Sequence, residues 1–332
     1  MVMAGAQWPS PFHPATGATV SRVVQLEGTM PSNQPIIESH GLGKRYGPVR
    51  AVDGLDLRVD RGEVYGFLGP NGAGKTTTLR MLAGLVRPTT GWALVAGHPP
   101  GSPQSLARTG WLIETPNFYP YLSGQDNLRV LARSCGLDPR RIGPALDAVE
   151  LTPRARDRYR TYSLGMKQRL AVAATLLKEP ELFVLDEPTN GLDPQGMADM
   201  RELIRRLAVG GRTVLLASHL LGEVEQICTR VGVIQRGRLI AEGTVEELRG
   251  GVAKLWIRAQ PEHRAQEVLE RVLGADAVTQ LDGRFLLRAG GERAAAINRE
   301  LVLAGVAVSE IRTAERSLED VFLELTGGEG GL

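Results

Sequence analysis

One octapeptide limits this chain more than any other stretch: Gly69-Pro70-Asn71-Gly72-Ala73-Gly74-Lys75-Thr76. It fits the pattern G-x-x-x-x-G-K-[ST], and its neighbourhood fits as well. The apolar, β-rich run Val64–Leu68 leads into it, and Thr77–Leu85 leaves it with helical character. Strand, glycine-rich loop and helix in that order form a phosphate cradle. Glycines let the backbone wrap close enough for its N–H groups to face a phosphate, and the positive end of the helix adds to the attraction. In such a cradle Lys75 bridges the β- and γ-phosphates, the Thr76 hydroxyl ligates Mg²⁺, and Thr77 continues the phosphate-facing turn. The motif fixes phosphoryl chemistry. Kinases, GTPases and other nucleotide hydrolases all use it, so the choice between them lies elsewhere in the chain.

Two further runs, Leu182–Leu185 and Thr213–Ala217, are nearly all apolar and end at once in polar residues. Together with Val64–Leu68 they read as buried central strands of a largely parallel sheet, whose ligands gather at the strands' C-terminal ends. The fold class is therefore α/β across roughly 36–250. Residues about 116–177 break the rhythm and read as a helical insertion, with Gln125–Cys135 and Gly143–Val149 its clearer segments. Residues 1–35, rich in Pro, Gly and small side chains, read as a disordered extension. Met30 stands just before the first strand-like segment and is an alternative start to Met1.

After Gly250-Gly251 the pattern restarts. Ala253–Arg258 reads as strand, Glu262–Leu273 as helix, Ala277–Leu281 and Arg284–Arg288 as a hairpin, Glu292–Leu303 as helix and Val306–Ile311 as strand. That βαββαβ order predicts a small α+β, ferredoxin-like domain over 251–332. A closing helix, Ser317–Leu325, starts with a capping box in which Asp320 replaces the usual Glu.

Composition removes several classes. A net charge of +2 from 39 basic and 37 acidic side chains gives no basic surplus for nucleic acid, so none is expected as a partner. Cys135 and Cys228 stand far apart, which points to a reducing compartment rather than a disulfide framework. No apolar run approaches the ~18 residues needed to span a bilayer. The N-terminus lacks the basic and apolar regions of a signal peptide.

The segment Glu181–Pro194 reads ELFVLDEPTNGLDP, and Tyr162–Leu170 reads YSLGMKQRL. Together with the phosphate loop they resemble the nucleotide-binding subunits of ATP-binding-cassette (ABC) transporters. The SLGMKQR variant is similar to the motors of bacitracin-type and other drug or antibiotic exporters. The resemblance implies a RecA-like core with a helical insertion, ATP and Mg²⁺ as ligands, and the following roles. Asp186 holds Mg²⁺, mostly through water, while Glu187 polarises the attacking water. His219, in Ala217-Ser218-His219, senses the γ-phosphate. Tyr46, in GKRYG, stacks on adenine. Ser163 and Gly165 match the signature motif, where Leu164 and Met166 depart from the common Gly and Gln. A serine hydroxyl and free N–H groups at a helix N-terminus suit an anion in either version. In this family the signature contacts ATP held by a second motor, with Asp193 of the D-loop coupling the two sites. The resemblance thus implies head-to-tail pairing, and little activity from a lone chain. Pairing with an identical copy and pairing with a different motor both fit.

One position departs from the pattern. The family's Q-loop glutamine falls near Trp111–Pro116, where this chain has Glu114. Glu supplies an oxygen to Mg²⁺ but no donor while ionised, so metal contact is expected to survive and coupling to be tuned differently. Beyond it, Phe118, Tyr119 and Tyr121 are candidates for contact with a separate transmembrane permease, which would hold the chain at the cytoplasmic face of the membrane. Local packing of the loop is the competing reading. The tail SLEDVFLELTG is similar to that of exporter motors whose permease is a separate chain, and a dimerising, regulatory or scaffold role all fit it.

The expected function is ATP hydrolysis driving efflux of drugs or antibiotics; export of lipid or polysaccharide is the alternative cargo. Soluble ABC ATPases of ribosomes or DNA usually carry two cassettes or a long coiled coil, and this chain has one cassette and no heptad run. A phosphate-loop kinase or GTPase lacks the signature and the DEPTNGLDP string. Loss of hydrolysis conflicts with intact Lys75, Asp186, Glu187 and His219.

Overall fold

The computed structural model describes residues 34–113, 117–250, 254–281, 283–314 and 317–326. The chain divides into two compact units, Met1–Glu242 and Gly243–Leu332. In chain order the first contains β1 (Ile37–Tyr46), β2 (Val49–Val59), β3 (Val64–Leu68), α1 (Lys75–Leu82), β4 (Thr90–Val95), α2 (Pro103–Ala107), β5 (Thr109–Leu112) and α3 (Gly124–Ser134). It continues through α4 (Ile142–Ala148), α5 (Leu164–Leu176), β6 (Leu182–Asp186), α6 (Pro194–Ala208), β7 (Thr213–Ser218), α7 (Leu221–Ile227), β8 (Arg230–Gln235) and into β9 (Arg238–Thr244).

Among the described residues these strands form two sheets: six strands in the order β5-β6-β7-β3-β8-β9, and three in the order β2-β1-β4. The run β5-β6-β7-β3-β8 is parallel. Its central strands have no exposed side chain: all five residues of β3 and all six of β7 are buried. Burial on both faces explains their unbroken apolar sequence. The smaller sheet is antiparallel, β1 pairing with both β2 and β4. Both sheets feed one core, where Ile37, Leu42 and Val95 meet Phe67, Val184 and Leu215 along with Leu79, Met81 and Leu82 of α1. Each such side chain, fully buried, is worth about 1.5–3 kcal/mol.

The second unit continues with α8 (Val245–Arg249), β10 (Lys254–Gln260), α9 (Glu262–Leu273), β11 (Val278–Leu281), β12 (Arg284–Leu287), α10 (Ala294–Leu303), β13 (Ala307–Ala314) and α11 (Leu318–Thr326). Its sheet has the order β11-β12-β10-β13, antiparallel throughout. In terms of the unit's own strands that is second-third-first-fourth, the split βαβ arrangement. Leu255, Ile257, Phe285 and Leu287 of the sheet pack on Leu269, Ile297 and Leu301 of its helices. The capping box at Ser317 forms as its sequence predicts: Asp320 N–H donates to Ser317 Oγ at 3.1 Å, and Ser317 N–H donates to Asp320 Oδ2 at 2.9 Å. Helix α1 starts earlier than its apolar pattern suggests, at Lys75 rather than Thr77, because the phosphate loop itself turns into the helix.

Candidate active site

The register of the parallel sheet brings three strand ends together. Leu68 lies across from Ser218, and Asp186 across from Ala217. The loop after β3 therefore starts beside the carboxylates that end β6 and the Ser218-His219 pair that ends β7.

Crowding and backbone shape dictate the glycines of that loop. A Cβ on Gly69 would stand 2.3 Å from the Ile234 carbonyl oxygen. Gly74 adopts φ 111°, and a Cβ there would meet the Ala51 carbonyl oxygen at 2.5 Å. Gly72 also takes a left-handed conformation, and the loop is pinned where Ala73 N–H donates to the Pro70 carbonyl at 3.1 Å. Gly74 caps α1 without a side-chain hydrogen bond, and the first turn of α1 carries no acid. The helix's own first turn thus supplies neither a side-chain cap nor an acid to its positive end, which suits an anion such as a phosphate.

Lys75 is 5% exposed and donates to the Gly69 carbonyl at 2.6 Å. Its ammonium lies 3.3 Å from Glu187 Oε1. The other Glu187 oxygen, Oε2, is 2.9 Å from His219 Nδ1 and 3.4 Å from the donating Ser218 hydroxyl. Glu187 occupies φ 50°, rare for a side chain that is not glycine. Holding a residue there costs about 1–3 kcal/mol, a strain that collects at functional positions. Its N–H donates to the Ala217 carbonyl at 2.9 Å, which fixes the kink at the end of β6.

Asp186 accepts the Thr76 hydroxyl on Oδ2 at 2.9 Å. Its Oδ1 is buried with no hydrogen-bond partner among the described residues. Burial pushes the Asp186 carboxyl above its ordinary range, and the neighbouring Glu187 charge adds to that, against the Thr76 hydrogen bond and Lys75. A buried oxygen without a partner, beside a threonine hydroxyl and facing a phosphate cradle, fits a divalent cation. Thr76 and Asp186 are the residues that would hold it. Glu114, the third candidate metal ligand, lies outside the described residues.

Tyr46 ends β1, 47% exposed, with the Lys44 ammonium 5.0 Å over its ring. It pairs with Val49 at the tip of the hairpin that carries Ala51, the residue packed against Gly74. An exposed aromatic face near the phosphate loop is thereby available to a planar base.

The remaining candidates gather elsewhere. Ser163 caps α5 and accepts from Met166 N–H at 3.3 Å. Asp193 caps α6 and accepts from Gly196 N–H at 2.9 Å. Both caps, with Gly165, Gly191 and Arg169, line one cleft of about 470 Å³ to which the phosphate loop contributes no residue. The sequence reading did not single out Ser218 as a contact to Glu187, nor Arg169 and Asp199 as partners. Ser218 is signalled only by being a small polar residue at the end of an apolar strand.

The candidate docking residues divide by packing. Phe118 sits edge-on to Tyr159 at 5.3 Å, whereas Tyr119 and Tyr121 are 47% and 67% exposed. Tyr159 N–H donates to Leu122 O at 2.8 Å and Arg160 N–H to Pro120 O at 3.0 Å, which hold this loop against the segment that precedes α5.

Comparison with known proteins agrees with the geometry. The family described as ABC transporter matches residues 52–190. The bacitracin transport ATP-binding protein BcrA of Enterococcus faecalis is 37% identical over 300 residues, covering 89% of this chain and 97% of that one. The daunorubicin/doxorubicin resistance ATP-binding protein DrrA of Streptomyces peucetius is 40% identical over 308 residues, covering 88% and 92%. Among solved structures, cbiO1 of Clostridium perfringens, part of the ABC transporter complex cbiONQ, superposes with TM-score 0.60 at 28% identity, covering 65% of this chain and 91% of that one. With relatives this similar over nearly their whole length, the chain belongs to the ATP-binding subunits of ABC transporters, in which ATP hydrolysis is coupled to transport.

Proposed function

We propose that this chain is the motor of a drug or antibiotic exporter: two motors stack head to tail over two Mg-ATP molecules and drive a separate transmembrane permease. The bacitracin and daunorubicin relatives support the cargo class. Among the described residues no helix is long and apolar enough to cross a membrane. In this reading the passage for cargo is the permease, and the motor attaches to the membrane face through it.

The observation that carries the pairing is the split between two half-sites. The phosphate loop, Asp186, Glu187 and His219 form one cluster, while Ser163 and Asp193 line a cleft without any of them. In a closed pair, the Ser163 hydroxyl and the N-terminal N–H groups of α5 on one chain face the γ-phosphate held by the other. An anion at that helix end is stabilised by the dipole and the free donors together.

Within the cluster, Lys75 neutralises the β- and γ-phosphates. Glu187 takes the proton of the attacking water as the water oxygen bonds to phosphorus and ADP leaves. His219, 2.9 Å from the Glu187 carboxylate, holds that carboxylate in place. Thr76 and Asp186 would hold Mg²⁺, which when bound would neutralise charge on the phosphates. A positioned base of this kind is worth about 10²–10⁴ in rate.

Glu187→Gln tests both parts. With Mg-ATP it should keep nucleotide bound and run as a pair of chains in size-exclusion chromatography, with turnover down by that factor. Near-normal turnover removes Glu187 as the base. Absence of any ATP-dependent pair, with the permease present, removes the head-to-tail reading.

A further inference from the structure

Arg169, Asp199 and Glu150 line the cleft shared by Ser163 and Asp193, and with Arg206 behind Glu150 they form a balanced cluster of four charges that no catalytic role above uses. Arg169 of α5, 18% exposed at its side chain, donates through Nη2 to Asp199 Oδ2 of α6 at 2.7 Å. Through Nη1 it donates to Glu150 Oε2 at 2.8 Å. The second oxygen of Glu150 lies 2.8 Å from Arg206 Nη1, also on α6. Asp199 Oδ1 accepts from Gln195 Nε2 at 2.7 Å, so each carboxylate has both oxygens engaged. The Arg169 and Arg206 guanidiniums hold the Glu150 carboxyl below its ordinary range. Glu150 itself stands at φ 60°, a conformation that persists in a side chain other than glycine only where surroundings over-determine it.

Depth is the informative feature. Arg169 stands six residues beyond the cap of its helix, Ser163, and Asp199 stands six residues beyond the cap of its own, Asp193. At 1.5 Å per residue, both members of the ion pair lie about 9 Å behind their helix ends. The pair therefore sets α5 and α6 level, with their N-termini side by side. In front of it the two helix starts interlock. A Cδ atom of Leu164 closes on Gly191, where an added Cβ would stand 3.1 Å from it, and a Cδ atom of Leu192 lies 3.8 Å from the Cβ position of Gly165. Behind the caps is a part-buried charge clamp, and between them is apolar packing.

We propose that Arg169 is a positioning residue that locks the signature helix and the D-loop helix into one rigid jaw. Ser163 and Asp193 then close on the partner chain's nucleotide as a single body. This rests on the head-to-tail reading, and it makes a directional claim: Arg169 acts on the nucleotide held by the other copy and leaves its own untouched. A planar guanidinium that reaches two carboxylates at once is needed; a lysine ammonium serves one.

The direction can be measured with mixed pairs of two differently tagged chains, both carrying Glu187→Gln so that ATP is held. One chain also carries Lys75→Ala, leaving a single nucleotide, on its partner. That nucleotide is closed over by the jaw of the Lys75→Ala chain. Arg169→Ala placed on the Lys75→Ala chain should weaken ATP-dependent association at least about tenfold, the loss of one charge-assisted hydrogen-bonded contact. Placed on the nucleotide-bearing chain it should change association less than about twofold. Arg169→Lys on the Lys75→Ala chain should recover part of the loss, and Asp199→Asn should reproduce it from the other side of the bond. If Arg169→Ala proves too unstable to purify, Asp199→Asn decides alone. Equal loss on either chain, loss only on the nucleotide-bearing chain, or no loss overturns the proposal. Ser163→Arg runs alongside as the control. If Ser163→Arg blocks association only from the Lys75→Ala chain, a failure belongs to Arg169. If it has no such asymmetry, the head-to-tail reading fails and the jaw falls with it.

Discussion

At the scale of single residues, Asp186 and Glu187 are chemically alike and adjacent, yet their surroundings separate them. Glu187 has three polar groups on its carboxylate: Lys75, His219 and Ser218. Asp186 has one hydroxyl on one oxygen and, among the described residues, no hydrogen-bond partner on the other. Burial therefore dominates at Asp186 and raises its pKa. The folded chain then binds that proton more tightly than the unfolded chain does. Ionisation of Asp186 costs stability as pH rises from the ordinary carboxylate value through the raised one, and the cost is fully present above the raised value. Asp186→Asn keeps an oxygen for the Thr76 hydroxyl and removes the buried charge. In the absence of nucleotide its Tm should rise relative to wild type. The extra stabilisation that Mg²⁺ adds to ATP should disappear, while that from ATP with EDTA remains. Thermal unfolding under those three conditions reads all of it. A variant that melts lower without nucleotide, or that keeps the Mg²⁺ increment, contradicts this account of Asp186.

At the scale of elements, the aromatic loop ahead of α3 divides its three rings between packing and exposure. Phe118 is half-buried against Tyr159, while Tyr119 and Tyr121 face solvent with their rings 5.8 Å apart. Exposed paired tyrosines are the kind of rigid amphipathic anchor that interfaces use. Tyr119→Ala and Tyr121→Ala should leave ATP affinity and Tm near wild type and lower co-purification with the permease. Phe118→Ala should instead cost about 1–3 kcal/mol of stability, less than the about 3–5 of a full core position. Unchanged complex yield for both tyrosine variants removes the docking reading. The sequence alone could name these three aromatics but could not divide them, since exposure depends on where Tyr159 returns. Legibility elsewhere followed burial. Strands β3, β6 and β7 were readable because a strand covered on both faces is apolar without interruption. The antiparallel β2-β1-β4 sheet was not. Register shifts along β1 and left-handed glycines at Gly41 and Gly54 break the alternation that would reveal it. The Arg169–Asp199 pair was hidden for another reason. It joins two helices separated by β6, and no local spacing encodes a contact that only the sheet brings about.

At the scale of the whole molecule, the arrangement of half-sites turns geometry into a rate law. One chain owns the cradle, the proposed base Glu187 and the oxygens proposed to hold metal, and carries the Ser163 helix end in a cleft apart from them. If that end serves only a second copy, hydrolysis requires an encounter between chains. Well below the dissociation constant of the pair, mass action makes the number of pairs follow the square of chain concentration. Tenfold dilution of the permease-free protein at saturating Mg-ATP should then lower the total rate about a hundredfold, and specific activity about tenfold. Above that constant, specific activity should level off. Ser163→Arg should flatten the curve near zero at every concentration while leaving the affinity of the single chain for ATP unchanged, because Ser163 lies outside the cluster around Lys75. A wild-type specific activity that does not vary with dilution, down to concentrations where light scattering finds only single chains, would mean that one chain completes its own active site. The cleft at Ser163 would then need a different ligand.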